Sequence, residues 1–243
     1  MDGFEGKTER VRYDYPFAEP PEPGTTMEVA PGVRWVRMPL PFSLKWINLW
    51  LLEDGDGWTV VDTGIPNSET KAHWRTIFEN ELGGKPIKRV IVTHMHPDHM
   101  GLAHWLCAKF NAPLLISATE YQSATLSSHG TSNFGGVGTQ QFFSANGWNN
   151  PEDQEKVNER VFYYSKMVPH VPETYRRLMD GQVVRIGAYT WRCISGFGHS
   201  PEHMALYSQE AKVLISGDMV LPKISTNVSV YTQEPEANSL SLF

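Results

Sequence analysis

The segment Thr93-His94-Met95-His96-Pro97-Asp98-His99-Met100-Gly101 constrains this chain more than any other. Four imidazole or carboxylate side chains fall within six positions, directly after the run Arg89-Val90-Ile91-Val92. A short β-branched run of that kind reads as a buried strand of an α/β sheet. The stretch after it, Met100 to Phe110, has helical character, so the polar residues sit where a strand hands over to a helix. Such sheets place their chemistry on those loops. Imidazole nitrogen and carboxylate oxygen suit zinc, and iron or manganese as well. One residue separates His94 from His96, so an extended backbone turns both rings to one side. Pro97 then forces a turn before Asp98 and His99. The four groups can divide into two pairs that face two neighbouring metals.

Three further segments carry chemistry. Val60-Val61-Asp62-Thr63-Gly64 places a carboxylate at a strand end. Gly198-His199-Ser200-Pro201-Glu202-His203 follows the strand-like stretch Tyr189–Ser195. Ile215-Ser216-Gly217-Asp218 ends another apolar stretch with a carboxylate. Together with the His-x-His-x-Asp-His loop, and in this order, these segments resemble the metallo-β-lactamase superfamily. The Gly-His-Ser-Pro segment is similar to its hydroxyacylglutathione hydrolase (glyoxalase II) branch.

The resemblance implies an α/β fold, the four-layer αβ/βα sandwich of that superfamily. It implies two divalent metal ions, with zinc the first expectation. His94, His96 and His199 would hold one, and Asp98, His99 and Asp218 the other, with Asp218 bridging. Asp62 would brace the loop and Asp98 would handle protons, so both are expected to be catalytic. His203 is expected to pack behind the ligands rather than to join them. The chemistry implied is hydrolysis by a metal-activated hydroxide. A carboxylic ester or thioester is the expected substrate, with a lactone or amide also compatible. Alternatives within the fold are a single-stranded RNA or phosphodiester hydrolase, a mononuclear-iron persulfide dioxygenase, and a metal-binding protein without catalysis. In the superfamily another His usually follows the bridging Asp. Here none follows His203, so the second site is expected to fill weakly and the C-terminal part of the fold to be missing.

With 243 residues, 40% hydrophobic and 20% charged, the chain is ordinary for a globular enzyme. Its net charge of −6 disfavours nucleic acid and leaves a small molecule as the expected partner. Cys107 and Cys193 do not form a disulfide framework and fit a reducing compartment. Residues 1–24 are charged and Pro-rich, without the apolar core of an export signal. They read as a mobile arm on a cytoplasmic protein without a membrane span. Residues 25–243 then form the metallo-β-lactamase-like domain.

Strands are expected at Val33–Leu40, Ile47–Leu52, Trp58–Val61, Ile87–Val92 and Leu114–Ser117, then at Val183–Ile186, Tyr189–Ser195, Met204–Tyr207 and Val213–Ser216. A helix starts near Ser68 and stops at Gly83-Gly84. Between the two strand groups lies a helical insertion, about residues 119–180. Its helical pieces are Glu120–Ser128 and Glu152–Lys166, and Pro172-Glu173-Thr174 reads as another helix start. The insertion is expected to cap the metal site. Trp46, Tyr121, His129 and Tyr164 are candidate substrate contacts, with Phe134 and His170 as further pocket candidates.

Overall fold

The computed structural model describes residues 14–130 and 135–243. Phe134 and residues 1–13 of the arm lie outside the described residues.

Two sheets carry the molecule. The first takes β1 (Met27–Ala30), β2 (Val33–Pro39), β3 (Trp46–Asp54), β4 (Gly57–Val61), β5 (Ile87–Ile91), β6 (Leu114–Ser117) and β7 (Tyr175–Leu178) side by side in chain order. β1 to β4 are antiparallel neighbours, whereas β4 to β7 run parallel. The second sheet is an antiparallel meander of β8 (Val183–Ile186), β9 (Tyr189–Gly196), β10 (His203–Ser208) and β11 (Val213–Ile215).

The parallel crossovers require helices on a sheet face. They are α1 (Ser68–Asn80), the short α2 (Pro97–Met100), α3 (Ala103–Phe110) and α4 (Ala118–Ser128). Asn67 caps α1 by accepting from the Thr70 amide at 2.7 Å. The insertion continues with α5 (Gly136–Ala145), α6 (Pro151–Glu159) and α7 (Tyr163–Met167), and α8 (Ser239–Leu242) closes the described chain. Two cores result. One lies between the helices and the first sheet, around Trp74, Ile77, Val90 and Leu106. The other lies between the sheets, where Leu52, Val61 and Ile91 meet Ile186, Trp191, Cys193 and Leu206. This is the expected α/β sandwich. Both cysteines are free thiols. Among the described residues no helix is long and apolar enough to cross a membrane.

Two expectations need correction. Pro172-Glu173-Thr174 does not start a helix: it leads into β7, which pairs in parallel with β6 at the sheet edge. The expected single helix Glu152–Lys166 is α6, a 3-10 turn at Arg160–Phe162, and α7. Besides β7, the strand β1 also went unread in the sequence. Of the arm, Tyr15 donates its hydroxyl to the Pro222 carbonyl, and Gly24 packs against His73 and Thr76 of α1.

Candidate metal centre

The site forms where loops from both sheets meet. β5 ends at Ile91, and the chain continues through Thr93 to α2. Pro97 occupies the first position of α2, and the His96 carbonyl accepts from the amides of His99 and Met100. From the second sheet, the Met204 amide donates to the Thr93 carbonyl at 2.8 Å. That bond ties β10 to the histidine loop. His199 lies between β9 and β10, and Asp218 in a 3-10 turn after β11.

The ring nitrogens converge. His94 Nε2 lies 2.9 Å from His96 Nδ1 and 3.2 Å from His199 Nε2. The neighbours of the outer nitrogens decide which of these atoms are bare. His199 Nδ1 donates to the Asn227 carbonyl at 2.9 Å, which leaves its Nε2 without a proton. Thr93 Oγ1 donates to Asp62 Oδ2 at 2.8 Å and therefore accepts from His94 Nδ1 at 3.0 Å. His94 Nε2 is thus a lone pair aimed at another lone pair. Burial, and then the neighbouring imidazoles, hold the His94 pKa well below the ordinary value and push that of His96 down to about 3. Burial lowers His199 too. Neutral imidazoles with inward lone pairs repel one another unless a cation stands between them. This donor set fits a divalent metal.

A second triad joins His94, His99 and Asp218. His99 Nδ1 donates to Asp62 Oδ2 at 2.8 Å, so its Nε2 is the nitrogen turned toward the cluster. That atom is buried, accepts no hydrogen bond, and faces Asp218 Oδ1 at 3.3 Å and Asp98 Oδ2 at 3.8 Å. Burial opposes a charge on His99, but Asp62, Asp218 and Asp98 together outweigh it and raise its pKa well above the usual value. A position that draws a proton this strongly without metal is one a cation would fill. Burial alone would raise the Asp218 carboxyl, yet the His99 and His199 rings hold it far below the usual range.

A family model of the metallo-beta-lactamase superfamily matches residues 47–241. The chain belongs to that superfamily. Its members are in the main metal-dependent hydrolases. The crystal structure of a beta-lactamase domain protein from Burkholderia ambifaria superposes with a TM-score of 0.86 at 51% identity, covering 94% of this chain and 66% of that one. The Beta-lactamase-like protein 2 homolog of Caenorhabditis elegans is 24% identical over 191 residues, which is 77% of this chain and 49% of the relative. The Probable metallo-hydrolase YflN of Bacillus subtilis is 22% identical over 215 residues, 82% of this chain and 67% of the relative. The chain thus spans about half the length of the first of these curated relatives and two thirds of the second.

The superfamily's loops bring His94, His96, His99, His199 and Asp218 together. Asp98 stands at the rim of the second triad and belongs to neither. Asp62 accepts from the Thr93 amide, the Thr93 hydroxyl and His99 Nδ1, so it orients the loop. His203 Nε2 accepts from the Asp218 amide at 3.3 Å, and its ring packs against His94. Of the candidate substrate contacts, Tyr164 lines a cavity beside His96 and donates its hydroxyl to the Met95 carbonyl at 2.6 Å. Tyr121 is placed elsewhere. Its ring stacks on Tyr175 and its hydroxyl donates to the Pro172 and Glu173 carbonyls, because this face of α4 turns toward β7. His129 is an exposed residue at the end of α4, and the exposed Trp46 stacks under Arg37 at 4.2 Å. Neither lines that cavity. His170 packs against His104 instead.

Sequence reasoning missed Glu120. This wholly buried carboxylate accepts from the Met95 amide (2.7 Å), the Ser200 hydroxyl (2.6 Å) and the Glu202 amide (2.7 Å). It therefore clamps the His94–His99 loop to the His199 loop. Burial pushes its pKa up to about 7 against the pull of those donors. Also missed were Asn227 and Tyr231, whose carbonyl and hydroxyl hold His199 Nδ1 and the His199 carbonyl. No local motif surrounds these three residues.

Proposed function

We infer that the chain is a metal-dependent hydrolase acting on a small carboxylic ester or thioester. The observation that carries this is the convergence of ring nitrogens from three buried or half-buried imidazoles, His94, His96 and His199, with Asp218 and His99 alongside. Bound divalent cations, zinc in the first instance, supply an ionised water near neutral pH and a Lewis acid for the substrate oxygen. The protein contributes the rest. Asp62 fixes the His99 tautomer through Nδ1, and Asn227 does the same for His199. Burial raises the Asp98 carboxyl, so it is suited to hold a proton and pass it to a leaving group. Two triads that share His94 support a binuclear site. The Gly-His-Ser-Pro segment supports the ester and thioester choice, and the name of the Bacillus subtilis relative agrees with a hydrolase.

The test is metal analysis followed by a substrate panel. Protein purified without chelator should retain up to two divalent ions per chain, and His199→Ala should lose most of them. The loaded protein should hydrolyse an ester or thioester and leave single-stranded RNA intact. One iron per chain with oxygen consumption would replace this reading by a dioxygenase. Bound metal with a wholly inert panel would leave a binding protein.

A further inference from the structure

His96 and Pro97 form part of the wall of a cavity of about 330 Å³ beside the metal cluster. The insertion supplies much of the remaining wall, with Phe143 from α5, Val157 from α6, Arg160 from the 3-10 turn and Tyr163 from α7. The opposite side comes from the segment around Tyr231, whose hydroxyl also holds the His199 loop. The cavity thus shares His96 and Tyr231 with the candidate metal centre.

Its chemistry is uneven. Aromatic and aliphatic side chains dominate, and among the described residues that line it there is no Asp or Glu. Arg160 is the one Lys or Arg among them. Its guanidinium lies over the Tyr163 ring at 5.9 Å, and it forms no ion pair with any described residue. In a chain of net charge −6, a cavity whose described lining residues include one cation and no acid discriminates by charge. A planar guanidinium against an aromatic wall suits a carboxylate or a similar oxyanion. The volume sits at the low end of the roughly 300–1,000 Å³ typical of ligand pockets, so the occupant is small.

We propose that this cavity selects small substrates with an apolar, ring- or chain-shaped body and one negative charge, which Arg160 pairs at a distance from the scissile carbonyl. That the scissile group is an ester or thioester rests on the hydrolase reading above. The apolar, singly anionic body does not.

Two inert probes of one shape separate these claims. Phenylpropanesulfonate carries the charge, and methyl phenylpropyl sulfone lacks it. Titrated calorimetrically into zinc-loaded protein, the sulfonate should bind about two- to fivefold more tightly, the range expected of a solvent-accessible ion pair. Arg160→Gln should erase that ratio and Arg160→Lys should keep part of it, with unchanged circular dichroism in both. Equal affinities, a ratio that survives Arg160→Gln, or no binding of either probe would overturn the proposal. A matched pair of esters, one with a terminal carboxylate on the acyl chain and one without, then tests the hydrolase reading separately. Charge-selective probe binding with both esters inert would leave the cavity assignment standing and remove the hydrolase. Hydrolysis of both esters with equal KM would do the reverse.

Discussion

Asp62 adopts a left-handed backbone, φ 62°, at the end of β4. That conformation is uncommon outside Gly and Asn, although Asp tolerates it. It delivers one carboxylate to three donors on the histidine loop. Asp62→Asn keeps the shape but offers an amide to at least one of those donors. Metal affinity at the His99 and Asp218 position should fall about 10- to 100-fold, read by competitive chelator titration. Unaltered affinity would remove Asp62 from the metal site. Glu120 gives a prediction with a pH sign. Burial lifts its pKa from the ordinary glutamate value of 4.5 to about 7, so the folded state binds the extra proton between the two. Its contribution to stability is full below pH 4.5 and is lost as pH rises to 7. The urea-derived stability gap between metal-free wild type and Glu120→Gln should therefore narrow by roughly 3 kcal/mol from pH 4.5 to 7.5. A gap independent of pH would show a carboxylate ionised throughout. The metal motif was legible at this scale because its residues are adjacent in the chain. Glu120 was not, since its three donors come from Met95, Ser200 and Glu202, far away in sequence.

At the scale of elements, α2 and the loop after β4 are locked together. Thr63 accepts from the Leu102 amide and donates its hydroxyl to the His99 carbonyl, while Trp74 of α1 donates to the Thr63 carbonyl. Gly101 sits where this junction is crowded. A Cβ there would meet the Pro97 carbonyl at 2.5 Å and the Gly64 carbonyl at 2.8 Å. Its own backbone is ordinary helix, φ −56°, so Gly101→Ala probes crowding alone. The variant should lose about 1–3 kcal/mol in urea denaturation. A wild-type midpoint would mean that the loop yields. Strands buried along their whole length, such as β4 and β6, could be read directly from the sequence because burial on both faces writes itself into composition. β7 could not. Its Tyr175-Arg176-Arg177-Leu178 is short and half polar, and its pairing with β6 is decided by a partner about sixty residues away, after a proline that mimics a helix start.

Across the whole molecule, the ligands divide between the halves. His94, His96 and His99 hang from the first sheet, and His199 and Asp218 from the second. A bound cation therefore cross-links the sandwich, and anything that binds the folded state alone raises its stability. Chelation should lower the calorimetric midpoint, by an amount equivalent to about 3 kcal/mol when metal is present at a hundred times its dissociation constant. His199→Ala should abolish most of that chelator effect. A midpoint indifferent to chelator would argue against metal spanning both sheets. The cavity wall has a different origin from the ligands, since Phe143, Val157, Arg160 and Tyr163 all belong to the insertion between β6 and β7. On the proposed function, bond-breaking and recognition fall largely to different segments of one polypeptide, joined through His96, Tyr164 and Tyr231. Grafting a relative's α5–α6 segment, which leaves Tyr164 and its bond to the Met95 carbonyl in place, would retune which compounds the proposed enzyme accepts.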